Sequence, residues 1–80
     1  MEFEVEMRVP FASEREAEIA AKSLRKELGF RAKSEGSAET KGHMLIVRLS
    51  ASDLASLRAS TNAAMRLLQV ARAAIMVAKR

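Results

Sequence analysis

The one imidazole in the 80 residues is His43, and there is no thiol. An activated nucleophile or a metal centre needs several donors that converge, so neither is indicated here. His43 lies beside a hairpin-turn signal, where the ordinary role of such a residue is a solvated strand end. Glu2, Glu4 and Glu6 share one face of an alternating segment, spaced about 7 Å apart along an extended chain. Such a row is a solvated or aggregation-resisting face rather than a general acid beside its base. No G-x-x-x-x-G-K-S/T, G-x-G-x-x-G or G-x-x-G loop is present to cradle phosphate or an RNA backbone. The sequence therefore predicts no enzyme, no metal and no cofactor.

The remaining chemistry is charge and apolar contact. The net charge of +4 is unevenly spread: after His43, the cations Arg48, Arg58, Arg66, Arg72, Lys79 and Arg80 face only Asp53. A basic half of this kind suits RNA or an acidic protein surface. RNA-binding sheets stack bases on exposed aromatics, and this chain has only Phe3, Phe11 and Phe30. Sequence-specific RNA recognition by the chain alone is therefore not expected. Arg58, Arg66, Arg72, Lys79 and Arg80 are the candidates for auxiliary phosphate contact.

Those residues must be carried on very little protein. A chain of this length is expected to form a single domain over residues 1–80 and to bury only about 60% of its unfolded surface. With no Trp or Tyr, the core must come from Ala, Leu, Val, Ile and Met. Without disulfides or thiolate-bound metal, association is the expected source of further stability. Residues 1–9 lack the order of a secretory signal, and no apolar run approaches the ~20 residues that span a bilayer. A soluble, cytoplasmic protein with no membrane contact is expected.

Glu2 to Val9 alternates perfectly, placing Phe3, Val5, Met7 and Val9 on one face of a strand that Pro10 ends. Ser13 and Glu16 form a capping box for a helix with Ala17, Ala20, Ala21, Leu24 and Leu28 on its apolar face and Gly29 as its stop. Ile19 falls off that face. Phe30 to Thr40 reads as a weak edge strand, bulged at Gly36, followed by a turn at Lys41-Gly42. His43 to Leu49 is apolar on both faces and should be central.

From Ser50-Ala51-Ser52-Asp53, a helix can run to the C-terminus without meeting Gly or Pro. Its seam is Leu54, Leu57, Thr61, Ala64, Leu68, Ala71, Ile75 and Ala78. A second apolar series, Ala63, Leu67, Val70, Ala74 and Val77, lies beside it. Together they offer more apolar surface than three strands can cover. The predicted fold is α+β, in the order β-α-β-β-α, with a three-stranded antiparallel sheet ordered 1-3-2 and both helices on one face.

Within this order, Leu45-Ile46-Val47-Arg48-Leu49-Ser50-Ala51-Ser52-Asp53 is followed by Leu57-Arg58-Ala59-Ser60-Thr61-Asn62 and Met65-Arg66-Leu67-Leu68. This stretch resembles the Pcc family, including its CTAG/Pcc-like members, with Leu57, Arg58 and Asn62 at the motif positions. The resemblance implies a small, non-catalytic subunit of the KEOPS complex, which installs threonylcarbamoyladenosine in tRNA. It further implies a homodimer, or a heterodimer with a paralogue, whose helices pack on the threonylcarbamoyl-transferring catalytic subunit, so that one dimer joins two of them. Help in holding tRNA is also implied.

On this reading Ile19, Leu67, Val70, Ala74 and Val77 meet the catalytic subunit. Met44 and Ile46, or a free sheet edge, form the dimer. A small independent RNA-binding module and a self-assembling structural protein are the alternatives.

Overall fold

The computed structural model describes residues 2–27 and 34–78. Its elements run β1 (Phe3–Pro10), α1 (Glu14–Glu27), β2 (Ser34–Lys41), β3 (Met44–Ala51) and α2 (Leu54–Ala78). The sheet is ordered β1-β3-β2 and both pairings are antiparallel. This is the predicted α+β architecture. β3 is central because it alone can bury both flanks of its backbone and one full apolar face. Leu45, Val47 and Leu49 are at most 2% exposed there.

The register is continuous, from Phe3↔Ala51 to Pro10↔Met44 on one side and from Ser34↔Ala51 to Lys41↔Met44 on the other. The bulge expected at Gly36 is therefore absent: Gly36 stands opposite Leu49 and no residue of β2 is left unpaired. The turn also sits one residue later than expected. Lys41 pairs with Met44, which leaves Gly42 and His43 as the turn. Gly42 has φ of 63° and no other described non-glycine residue has positive φ, the pattern of a type II′ hairpin with glycine first. The backbone needs its left-handed residue there, and only Gly42 supplies it without strain.

α1 begins where its cap places it. The Glu16 amide donates to Ser13 Oγ at 3.2 Å, and the Ser13 hydroxyl donates to the Glu16 carboxylate at 3.4 Å. Ala17, Ala20, Ala21 and Leu24 are wholly buried against Leu45, Val47 and Leu49. The three alanines let the helix lie close to the sheet. Phe11, 8% exposed, fills the end of this core, and its amide donates to the His43 carbonyl at 2.9 Å. Leu28, Gly29 and residues 30–33, including Phe30, lie outside the described residues.

Of Ser50, Ser52 and Asp53, the residues of the preceding link that can cap α2, Asp53 is the one used: the Ser56 amide donates to Asp53 Oδ1 at 2.7 Å. Asp53→Ala is expected to cost about 1 kcal/mol. For a domain of this size that lowers the melting midpoint by about 4–8 °C, readable by circular dichroism. Ala64, Ala71 and Ile75 of the seam are buried, with Leu57 and Leu68 packed against them. Leu54 is not part of it, at 60% exposed. It is the first helical residue, roughly 60° round the helix from Leu57, and precedes the point where α2 settles on the sheet.

The 25 residues of α2 extend about 37 Å, whereas 8-residue strands reach only about 27 Å. The helix therefore outruns the sheet that supports it. No described helix is long and apolar enough to cross a membrane.

Candidate protein-docking surfaces

Several cations, Arg72 of the expected phosphate contacts among them, are tied down inside the chain. Arg48 bridges β1 and β2 across the outer sheet face, pairing with Glu6 at 3.0 Å and with Glu39, while Arg8 pairs with Glu6 at 2.9 Å. Hydrogen bonds from Arg8 and then Arg48 hold the Glu6 carboxyl below its usual range, and those to Glu39 and then Glu6 hold the Arg48 guanidinium above its own. All four groups are solvated, so the network sets geometry more than stability. On β2, Arg25 Nε donates to the Ala38 carbonyl at 2.7 Å, and Thr40 Oγ1 donates to Glu18. Side chains of α1 thus lie across that edge strand. Arg72 reaches the Pro10 carbonyl at 3.0 Å and stands 5.1 Å above the Phe11 ring, a cation–π contact that pins the far half of α2 to the end of β1.

What is left uncovered falls into three places. The first is the outward side of the helical layer, turned away from the buried residues. On α1 it carries Arg15, Ile19, Lys22 and Lys26; on α2 it carries Ala55, Ala59, Asn62, Arg66, Val70, Ala73 and Val77. Every one of these residues is exposed. Ile19 is 45% accessible, and Val70 and Val77 are each 67% accessible.

The second lies on the flank of α2 that Arg72 turns toward β1. There Leu54, Met65 and Met76, at 60%, 51% and 63% exposure, recur every 11 residues, a spacing of about three helical turns. They run beside β1, whose only described pairing is with β3. The third is the outer sheet face, where Met44 is half-buried. Ile46 there is only 8% exposed, in the strand row between Arg8 and Glu39.

Neither a metal cluster nor a buried, unsatisfied polar side chain occurs among the described residues.

A family model described as "Transcription factor Pcc1" matches residues 4–75. The chain belongs to the Pcc1 family. That family is one of KEOPS subunits, so the chain is KEOPS-associated. Among solved structures, it matches one titled "Crystal structure of binary complex Gon7-Pcc1", with TM-score 0.86 and 21% identity over 95% of each chain. At that identity the likeness shows the Pcc1 fold alone. No curated protein matches.

Leu57, Arg58 and Asn62, the positions that carry the sequence resemblance, differ in exposure. Leu57 is half-buried against the core, and its carbonyl accepts from Thr61 Oγ1 at 2.8 Å. Arg58 and Asn62 are exposed. Of the residues expected to meet a partner, Ile19, Val70, Ala74 and Val77 are exposed, whereas Leu67 is half-buried against the core. The cations expected against tRNA are not gathered on one face. Arg66 is outward, Arg58 and Arg72 lie toward β1, Arg72 is occupied internally, and Lys79 and Arg80 lie outside the described residues.

Met65 and Met76 are absent from the sequence-based expectations. The signal that reveals them is the 11-residue step that runs from Leu54 through Met65 to Met76.

Proposed function

We propose that this chain is a non-catalytic scaffold subunit of KEOPS that dimerises and binds the threonylcarbamoyl-transferring catalytic subunit, supporting threonylcarbamoyladenosine formation in tRNA. The observation that carries the reading is the apolar surplus of α2, a helix longer than its sheet with Val70 and Val77 two-thirds exposed. Exposed valines on a regular helix are suited to helix-against-helix packing, where ridges of one helix enter the grooves of another. Ile19, on the outward stripe of the neighbouring helix, extends the patch, and Ala74 adds small surface beside it. The test is retention of the catalytic subunit by the immobilised chain. Retention at micromolar concentration is expected, and its absence removes the scaffold reading.

The dimer forms, on this proposal, along β1. β2 is shielded by Arg25 and Glu18, whereas β1 offers a strand edge with Leu54, Met65 and Met76 beside it. An added strand supplies main-chain hydrogen bonds, and the helix flank supplies apolar burial. A second copy or a paralogue can provide both. Met65→Glu with Met76→Glu is expected to bring the light-scattering mass from twice 8.8 kDa down to 8.8 kDa. A persistent dimer moves the interface to the outer sheet face, the second reading, for which the half-exposed Met44 beside Ile46 speaks; Met44→Glu then breaks it. Auxiliary tRNA contact falls to Arg58, with Lys79 and Arg80.

A further inference from the structure

The outward helical stripe has a charge property that its apolar residues conceal. Positions 15, 19, 22 and 26 of α1 and 55, 59, 62, 66, 70, 73 and 77 of α2 include Arg15, Lys22, Lys26 and Arg66 but no carboxylate. The acids of α1 lie elsewhere. Glu18 is turned to β2 by Thr40, Glu16 closes the cap at Ser13, and Glu14 and Glu27 occupy the helix ends, off the stripe. Arg8, Arg25, Arg48 and Arg72 are all engaged within the chain. Arg15, Lys22, Lys26 and Arg66 make no ion pair among the described residues.

We infer that this face is built for a protein surface in which an apolar strip is rimmed by carboxylates, and that these four cations steer the encounter. The inference rests on the scaffold reading and names the chemistry its partner must present. Cations gathered on one side without counter-charges raise the local potential and accelerate association with an acidic surface, by an amount that falls as salt screens it. A phosphate backbone would also be attracted. However, Ile19, Val70 and Val77 stand among the cations where a phosphate-tracking groove would place aromatic or polar groups. Desolvated valines reward an apolar partner.

The test uses the full chain and the KEOPS catalytic subunit, with the association rate followed by stopped-flow fluorescence between low and high salt. The wild-type rate should fall steeply with salt. Lys22→Glu with Arg66→Glu should slow it about tenfold at low salt and leave it unchanged at high salt, with the dissociation rate little altered. Both substituted residues are exposed helix positions, so folding, checked by circular dichroism, should be retained.

Binding whose rate ignores both salt and charge reversal overturns the inference and leaves the scaffold reading intact. Unchanged catalytic-subunit binding together with lost tRNA retention also overturns it, assigning the face to RNA. If the wild-type chain does not bind the catalytic subunit at all, both readings fail.

Discussion

Leu24→Ala is expected to lower the unfolding free energy by about 3 kcal/mol. Leu24 is the largest side chain that α1 buries completely, in a cluster with Ala17, Ala20, Ala21, Leu45 and Val47. The other buried residues of α1, Ala17, Ala20 and Ala21, are alanines. They have no side-chain length with which to relax into the space left by the leucine, so the cavity term adds to the lost transfer energy. A domain of 80 residues holds a total of only about 4–12 kcal/mol. The change should therefore lower the melting midpoint by about 12–24 °C. Ile19→Ala, adjacent in sequence to the buried Ala20 but on the exposed side of the helix, should change the unfolding free energy by less than about 0.5 kcal/mol. Equal effects at the two sites would mean that α1 does not present its alanine face to the sheet.

The second large effect concerns binding rather than folding. Val70→Glu with Val77→Glu is expected to weaken association with the catalytic subunit by at least about 100-fold, since buried anchor residues cost about 2 kcal/mol or more each when lost. Both valines are 67% exposed in the isolated chain, and glutamate has a higher helix propensity than valine. Stability should be unchanged or slightly raised. That separates a lost interface from a damaged fold, which a titration by isothermal calorimetry beside a melting curve will show. Undiminished affinity would exclude the outward stripe as the docking surface.

Much of this architecture could be read from residue order because its signals are local and strong. Strict alternation marked β1, a capping box marked the start of α1, and a Gly- and Pro-free run marked α2. The doubly apolar third strand pointed to its central place. The misplacements have equally local causes. Lys41-Gly42 and Gly42-His43 are both plausible two-residue turns by composition. The choice depends on which backbone position requires positive φ, and that is fixed by the register with Leu45 and Thr40. Gly36 suggested a bulge because a glycine weakens a strand. With β3 pairing the strand along its whole length, no extra residue was needed.

At the surfaces, periodicity showed that α2 had two apolar series, but not where the sheet would end beneath it. Helical spacing places Leu54 in the seam because it carries no information about the limits of the neighbouring layer. Periodicity does not single out Met65 and Met76, for the converse reason. They belong to a flank defined by β1 and by the Arg72 contact to Pro10 and Phe11, a tertiary relation across more than 60 residues. Arg72 itself looked like a free cation in sequence. Only the fold shows that its guanidinium is already committed, whereas Arg66, one and a half turns earlier, faces outward.

On the proposed reading, a dimer of this chain joins catalytic subunits through the outward helical face. Multi-angle light scattering on a mixture with excess chain tests it most directly. The expected peak has the mass of two chains plus two catalytic subunits, and it should fall to the separate components with Val70→Glu and Val77→Glu. A catalytic subunit that elutes at its own mass beside unmodified chain would contradict the account.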